Sequence, residues 1–357
     1  MPRVRHMSFV LRASGLVLAF ALWYGLTTSS ICPVHAKDDP TWPVNKRLVG
    51  KDGQKSKNIS GIACSTTTGF PRSCLVIDDD MQAAQFLTLN DGELEAGDAV
   101  RLIHNQDDDG ALQLDGEGVA YADEWFYVVG SHGHPRDKSK KLHPVHDAQK
   151  IKAQIAASSQ VVRLRVRPRE GQPLTPGDVT DIQRSPKLRE IITANDVLRR
   201  YADRRLENNG LTTEGIAVIG KRMFVGFRGP TLENGTAPVL SVSIASIFEG
   251  APPDPVLHIL PMGRGRGVRD LAAFRDGLLI LAGPTGGEAG PYIVYWWDTS
   301  SARVQHLADI TAKAGADEDN KPEAILPLDD NESGLRILVL LDGPKEGGPR
   351  DLIVPLP

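Results

Sequence analysis

Leu211 to Pro230 reads Leu-Thr-Thr-Glu-Gly-Ile-Ala-Val-Ile-Gly-Lys-Arg-Met-Phe-Val-Gly-Phe-Arg-Gly-Pro. An acid opens an apolar run, Glu214 to Val218. The chain turns at Gly220-Lys221-Arg222 and returns as a second apolar run, Met223 to Phe227. Two short apolar runs separated by a Gly-containing turn predict a β-hairpin.

The same design recurs. Ser60-Gly61-Ile62-Ala63-Cys64 returns as Cys74 to Ile77, and Glu117-Gly118-Val119-Ala120 returns as Trp125 to Val129. Arg269-Asp270-Leu271-Ala272 returns as Leu278 to Leu281, and Pro322-Glu323-Ala324-Ile325 returns as Arg336 to Leu341. Starts recur every ~55 residues, except where an insertion over 133–210 widens the interval. Meandering antiparallel repeats of about this length predict an all-β fold, a β-propeller of five blades. A strand within the insertion, Val161 to Val166, offers material for a sixth. Two β-sandwiches would also use alternating strands, but would not explain the shared openings.

Upstream, Arg3, Arg5 and Arg12 precede an apolar run from Gly15 to Leu26 and a Val34-His35-Ala36 end. This predicts a signal peptide over 1–36, an exported (periplasmic or secreted) mature chain, and no membrane span after cleavage. A polar lead-in over 37–57 follows, and the propeller domain runs over 58–357. Cys32 leaves with the signal. The remaining pair, Cys64 and Cys74, flanks a hairpin turn, so a disulfide is expected. Loss of Arg3, Arg5 and Arg12 takes the net charge from −4 to −7, which argues against nucleic acid as a partner.

In an antiparallel hairpin the start of one strand lies beside the end of the next. Strand starts carry Glu117, Glu214, Asp270 and Glu323; strand ends carry Asp78, Asp79, His132, Arg228 and Asp342. These residues are expected at one mouth of the central channel. So many carboxylates need compensation: a hard divalent cation such as calcium held by Glu117, Glu214, Asp270 and Glu323, pairing with Arg228 and Arg269, or raised pKa values. The plainer expectation is that each acid accepts backbone N–H bonds from the next blade. His132, His134, His143 and His146 cluster in sequence but match no metal-ligand spacing and read as a solvated loop.

The order of these openings, with Phe227-Arg228-Gly229-Pro230, resembles the bacterial domain-of-unknown-function family thirty-six-sixteen from about Asn58 onward. It is more distantly similar to esterase-like and phytase-like exported propellers. The family resemblance implies a propeller and assigns no catalytic residue. Ser60 departs from the pattern by replacing the acid. Two functions follow as expectations: metal-assisted hydrolysis of an ester or phosphoester at the acidic mouth, or non-catalytic binding of a small-molecule ligand or a protein.

Overall fold

Five antiparallel sheets follow one another along the chain in the computed structural model, which describes residues 41–135, 142–169, 171–287 and 289–357. The predicted signal peptide, Cys32 and the first residues of the lead-in lie outside the described residues. No helix among the described residues is long and apolar enough to cross a membrane.

Each sheet is one blade and begins with its innermost strand. These are Ile59–Cys64, Gly116–Ala122, Thr212–Ile219, Arg266–Phe274 and Lys321–Asn331. Successive inner strands pack on one another, and the last packs on the first, closing a five-bladed ring. The shared opening explains how they come so close. A Cβ on Gly61 would lie 2.7 Å from the Gly118 Cα, and one on Gly118 would lie 2.8 Å from the Glu214 carbonyl oxygen. A Cβ on Gly215 would meet the Leu271 backbone nitrogen at 2.6 Å. Glycine is required there because backbone meets backbone. Between blades, buried apolar side chains from facing sheets form the core, as Ile216, Val225 and Leu240 do against Ala120 and Val129.

Among the described residues there is no sixth blade. Val161–Val166 pairs with Trp125–Gly130, and Val179–Ser185 pairs with Val161–Val166, so the supposed extra strand completes blade two. Its alternating apolar and basic residues gave the strand correctly, but periodicity cannot say which sheet a strand joins. Around it, Ala148–Ser158 and Lys187–Ala194 are helical. The Arg-rich stretch that follows forms two single 3-10 turns, Leu198–Arg200 and Leu206–Asn208.

The lead-in packs on both the first and the last blade. Trp42 donates its backbone N–H to the Pro349 carbonyl and its indole N–H to Asp351. Val44–Asn45 adds a parallel strand to the outer edge of blade one, while Glu346 and Gly343 donate backbone N–H to Ser56 and Lys57. Residues 42–57 therefore tie the last blade to the first.

Cys64 and Cys74 are directly opposite in the first hairpin and form a disulfide. Its loop is short, so replacing both with alanine should cost about 2–3 kcal/mol of unfolding free energy in urea titrations. Unreduced peptide mapping of the wild type should recover the linked pair.

Candidate functional site

A β-bulge interrupts every inner strand at the same place. The register skips Ser60, Glu117, Glu214, Arg269 and Glu323 in turn. A bulge leaves its extra residue out of the ladder and re-aims the side chain. The tier at the strand-start mouth is therefore Ser, Glu, Glu, Arg, Glu, and all five are nearly or fully buried.

This corrects the expected ring of four acids. Arg269, not Asp270, holds the equivalent position in blade four. Asp270 stands where blades one to three have glycine, opposite Leu281. Its carboxylate accepts the Leu271 N–H at 2.7 Å and the Ile325 N–H of the next blade at 2.8 Å. Asp270 thus joins blades four and five by the plainer role weighed for the acids. Burial pushes its pKa well above the carboxylate range, against these two hydrogen bonds.

The other acids meet guanidinium groups. Arg228 Nη1 donates to Glu214 Oε1 at 3.0 Å. Its Nε and Nη2 donate to the carbonyls of Thr285 and Gly286, so one side chain links blades three and four. Arg269 pairs with Glu323 and is fully buried. Tyr292 lies within electrostatic reach of Arg269, Arg228, Glu214 and Asp342, and burial raises its pKa. Two arginines therefore offset most of the charge of Glu117, Glu214 and Glu323, which removes much of the reason for a cation at that level.

Carboxylates left without such pairing lie at the edge of the mouth contributed by blade one. One oxygen from each of Asp78, Asp79 and Asp80 lies within 4.8 Å of the others. Asp78 accepts bonds from Ser56 Oγ and the Asp80 N–H, yet burial pushes its pKa up to about 6. Asp80 is held by Asn58 at 2.6 Å and Gln113 at 2.5 Å. Burial raises Asp79 most, and Asp115, Asp80, Asp78 and Asp342 all add to it. Asp342 belongs to this group through that interaction and through the bridge from Asn58 to Asp342.

His132 does not join them. Its ring is fully buried, and neither ring nitrogen has a hydrogen-bond partner among the described residues. Its backbone N–H reaches the Ser158 carbonyl and its own carbonyl accepts from Arg189. Burial, with Arg189 second, depresses its pKa to about 3. The bulge tier and Asp80 were the parts missed from sequence. Aligning the units on Ala63, Ala120, Ala217 and Ala272 would have put Arg269 in register with Glu214.

A family model described as "Protein of unknown function (DUF3616)" matches residues 73–351. The chain belongs to this family. No curated protein matches it. Among solved structures it is similar to virginiamycin B lyase from Staphylococcus aureus, at 11% identity and a TM-score of 0.35, covering 84% of this chain and 71% of that one. Hydrazine synthase from Kuenenia stuttgartiensis is similar at 10% identity and a TM-score of 0.35, covering 87% of this chain and 68% of that one. Likeness at this level carries no inference about activity in the DUF3616 chain.

Proposed function

We propose that this DUF3616 propeller binds a divalent cation at Asp78, Asp79, Asp80 and Asp342, and uses it to hydrolyse an ester or phosphoester at the strand-start mouth. The carrying observation is the group of three aspartate oxygens within 4.8 Å of one another, with Asp79 raised by burial first and then by its two partners in the group and by Asp115 and Asp342. Ligands spaced this way suit one ion bound at ~2.4 Å, the calcium distance, and an all-oxygen set favours a hard cation. The cation would polarise the substrate's carbonyl or phosphoryl oxygen and lower the pKa of a bound water. Held by these aspartates, the ion would supply that water as nucleophile, and the cleaved ester would release its alcohol with the water's proton. This relocates the cation expected at Glu117, Glu214, Asp270 and Glu323 to acids without arginine partners.

The reading predicts that calcium raises the thermal midpoint of the purified protein, and that Asp79→Asn weakens calcium binding by at least about tenfold in calorimetry. Hydrolysis of nitrophenyl esters or phosphoesters should fall on chelation and return with calcium. Calcium binding that Asp79→Asn leaves unchanged would overturn the assignment, and an inactive calcium-bound protein would overturn the hydrolase.

A further inference from the structure

At the opposite mouth, where the inner strands end, lies a cavity of about 450 Å³. All five blades line it, through Ile62, Val119, Ile216, Leu271 and Leu326 among others. None of the bulged tier residues does, so the pit ends below them. Each inner strand is the edge of its sheet and turns backbone groups that lack a ladder partner on that side towards the axis, of which Asp270 takes the Leu271 and Ile325 N–H. The volume falls in the range of small-molecule sites, and a mixed apolar and hydrogen-bonding wall is characteristic of them.

Both signs of charge line the pit, Arg72 and Arg275 with Asp329 and Asp330, and what each is paired with selects the class of ligand. Arg72 lines the pit and is 1% exposed. Its guanidinium donates to the carbonyls of Gly69, Pro327 and Leu328. No carboxylate contacts it among the described residues, and Asp329, the acid that acts on it from further off, is itself paired with Arg336 at 3.1 Å. A buried cation normally has a contact counter-charge. Three of its five N–H groups are used, which leaves two donors. Beside it, Thr66, Thr67 and Thr68 line the pit from the first hairpin turn. The disulfide at the base of that turn fixes the loop, and Arg72 ties it to blade five. Across the rim, Arg275 is paired with Asp330 at 2.7 Å, but both are more than two-fifths exposed. Such a pair is worth little and opens readily for a competing anion.

The geometry points to a second site: the strand-end pit binds a small organic carboxylate, its apolar body in the channel and its carboxylate held by Arg72, Arg275 and the threonine hydroxyls. The site is separate from the acidic mouth and does not depend on a cation there.

Calorimetry with 4-phenylbutyrate and its neutral amide, 4-phenylbutyramide, tests this on the purified protein. The carboxylate should bind about tenfold or more tightly than the amide, the value of one charge-assisted hydrogen bond set. Arg72→Met should abolish the preference. Because Arg72 also joins two blades, Arg275→Gln at the exposed rim provides a second variant; it should reduce the preference several-fold while leaving circular dichroism and calcium response unchanged. Equal binding of acid and amide, binding of neither at millimolar concentration, or a preference that survives both substitutions would overturn the proposal.

Discussion

Glu323→Leu should destabilise the propeller by about 3–5 kcal/mol, the usual result of removing one partner of a buried ion pair. Arg269 is fully buried and Glu323 is 4% exposed, so water cannot replace the lost carboxylate. The change keeps nearly the same volume, so packing alone predicts a small effect. Arg269→Met combined with Glu323→Leu should recover most of the loss, because no charge is then left buried without its partner. Guanidinium unfolding curves of the three proteins measure this. A loss below about 1 kcal/mol for Glu323→Leu would mean the pair is solvated like a surface bridge.

The same pair shows what could be read from the sequence and what could not. Glu214-Gly215 and Glu117-Gly118 recur because the ring brings inner strands together at those glycines, and that demand leaves a visible motif. The hairpins were legible for the same reason: local turns and apolar alternation set them. A bulge adds one residue without changing composition. Asp270 was therefore aligned with the acids by its type, although the ladder skips Arg269. The pairing of Arg228 with Glu214 follows from strand ends meeting strand starts, which the hairpin already implied. The tie from Arg228 to Thr285 and Gly286 crosses blades and has no local signal. Nor does the assignment of Val161–Val166 to blade two, since side-chain alternation gives a strand without its neighbours. Asp80 carries no strand-end signal, because it lies just beyond Arg72–Asp78.

The two mouths divide the chemistry between them. Among the described residues, the group of Asp78, Asp79, Asp80 and Asp342 gathers at the strand-start side with no contact cation, and a buried guanidinium with no contact carboxylate lines the strand-end pit. Between them the tier of Glu117, Glu214, Arg269 and Glu323 fills the channel with largely offset charge. Small ions and ligands would therefore reach each site from its own face. This is why the calcium and carboxylate experiments should give independent answers.

The stability that neutral His132 contributes should be lost as pH drops from about 6.5 towards 4, so the unfolding free energy of wild type should fall relative to that of His132→Asn across this interval. His132 has a folded pKa of about 3, below its ordinary value of 6.5. Between those values the unfolded chain binds a proton that the folded chain does not. The stabilising contribution is thus fully present above about 6.5 and is lost progressively as pH falls towards 3. Its full size is on the order of 5 kcal/mol for a shift of this kind. Burial is the main cause, and Arg189 adds to it. Asparagine removes the titration and suits the backbone, because His132 has a φ of 51° and asparagine tolerates that region. Asp78, Asp79 and Asp270, whose pKa values burial raises, take up protons in the same interval and oppose this loss, so the difference between wild type and His132→Asn, not the wild-type slope, isolates the imidazole. Had His132 faced the acidic mouth, neighbouring carboxylates would have raised its pKa and reversed the sign, giving stability that is lost as pH rises. Unfolding free energies of wild type and His132→Asn at pH 4.5, 5.5 and 7.5 therefore separate a buried neutral imidazole from a member of the acidic cluster. A difference between the two proteins that grows towards pH 7.5 in favour of the variant would place the histidine with the acids.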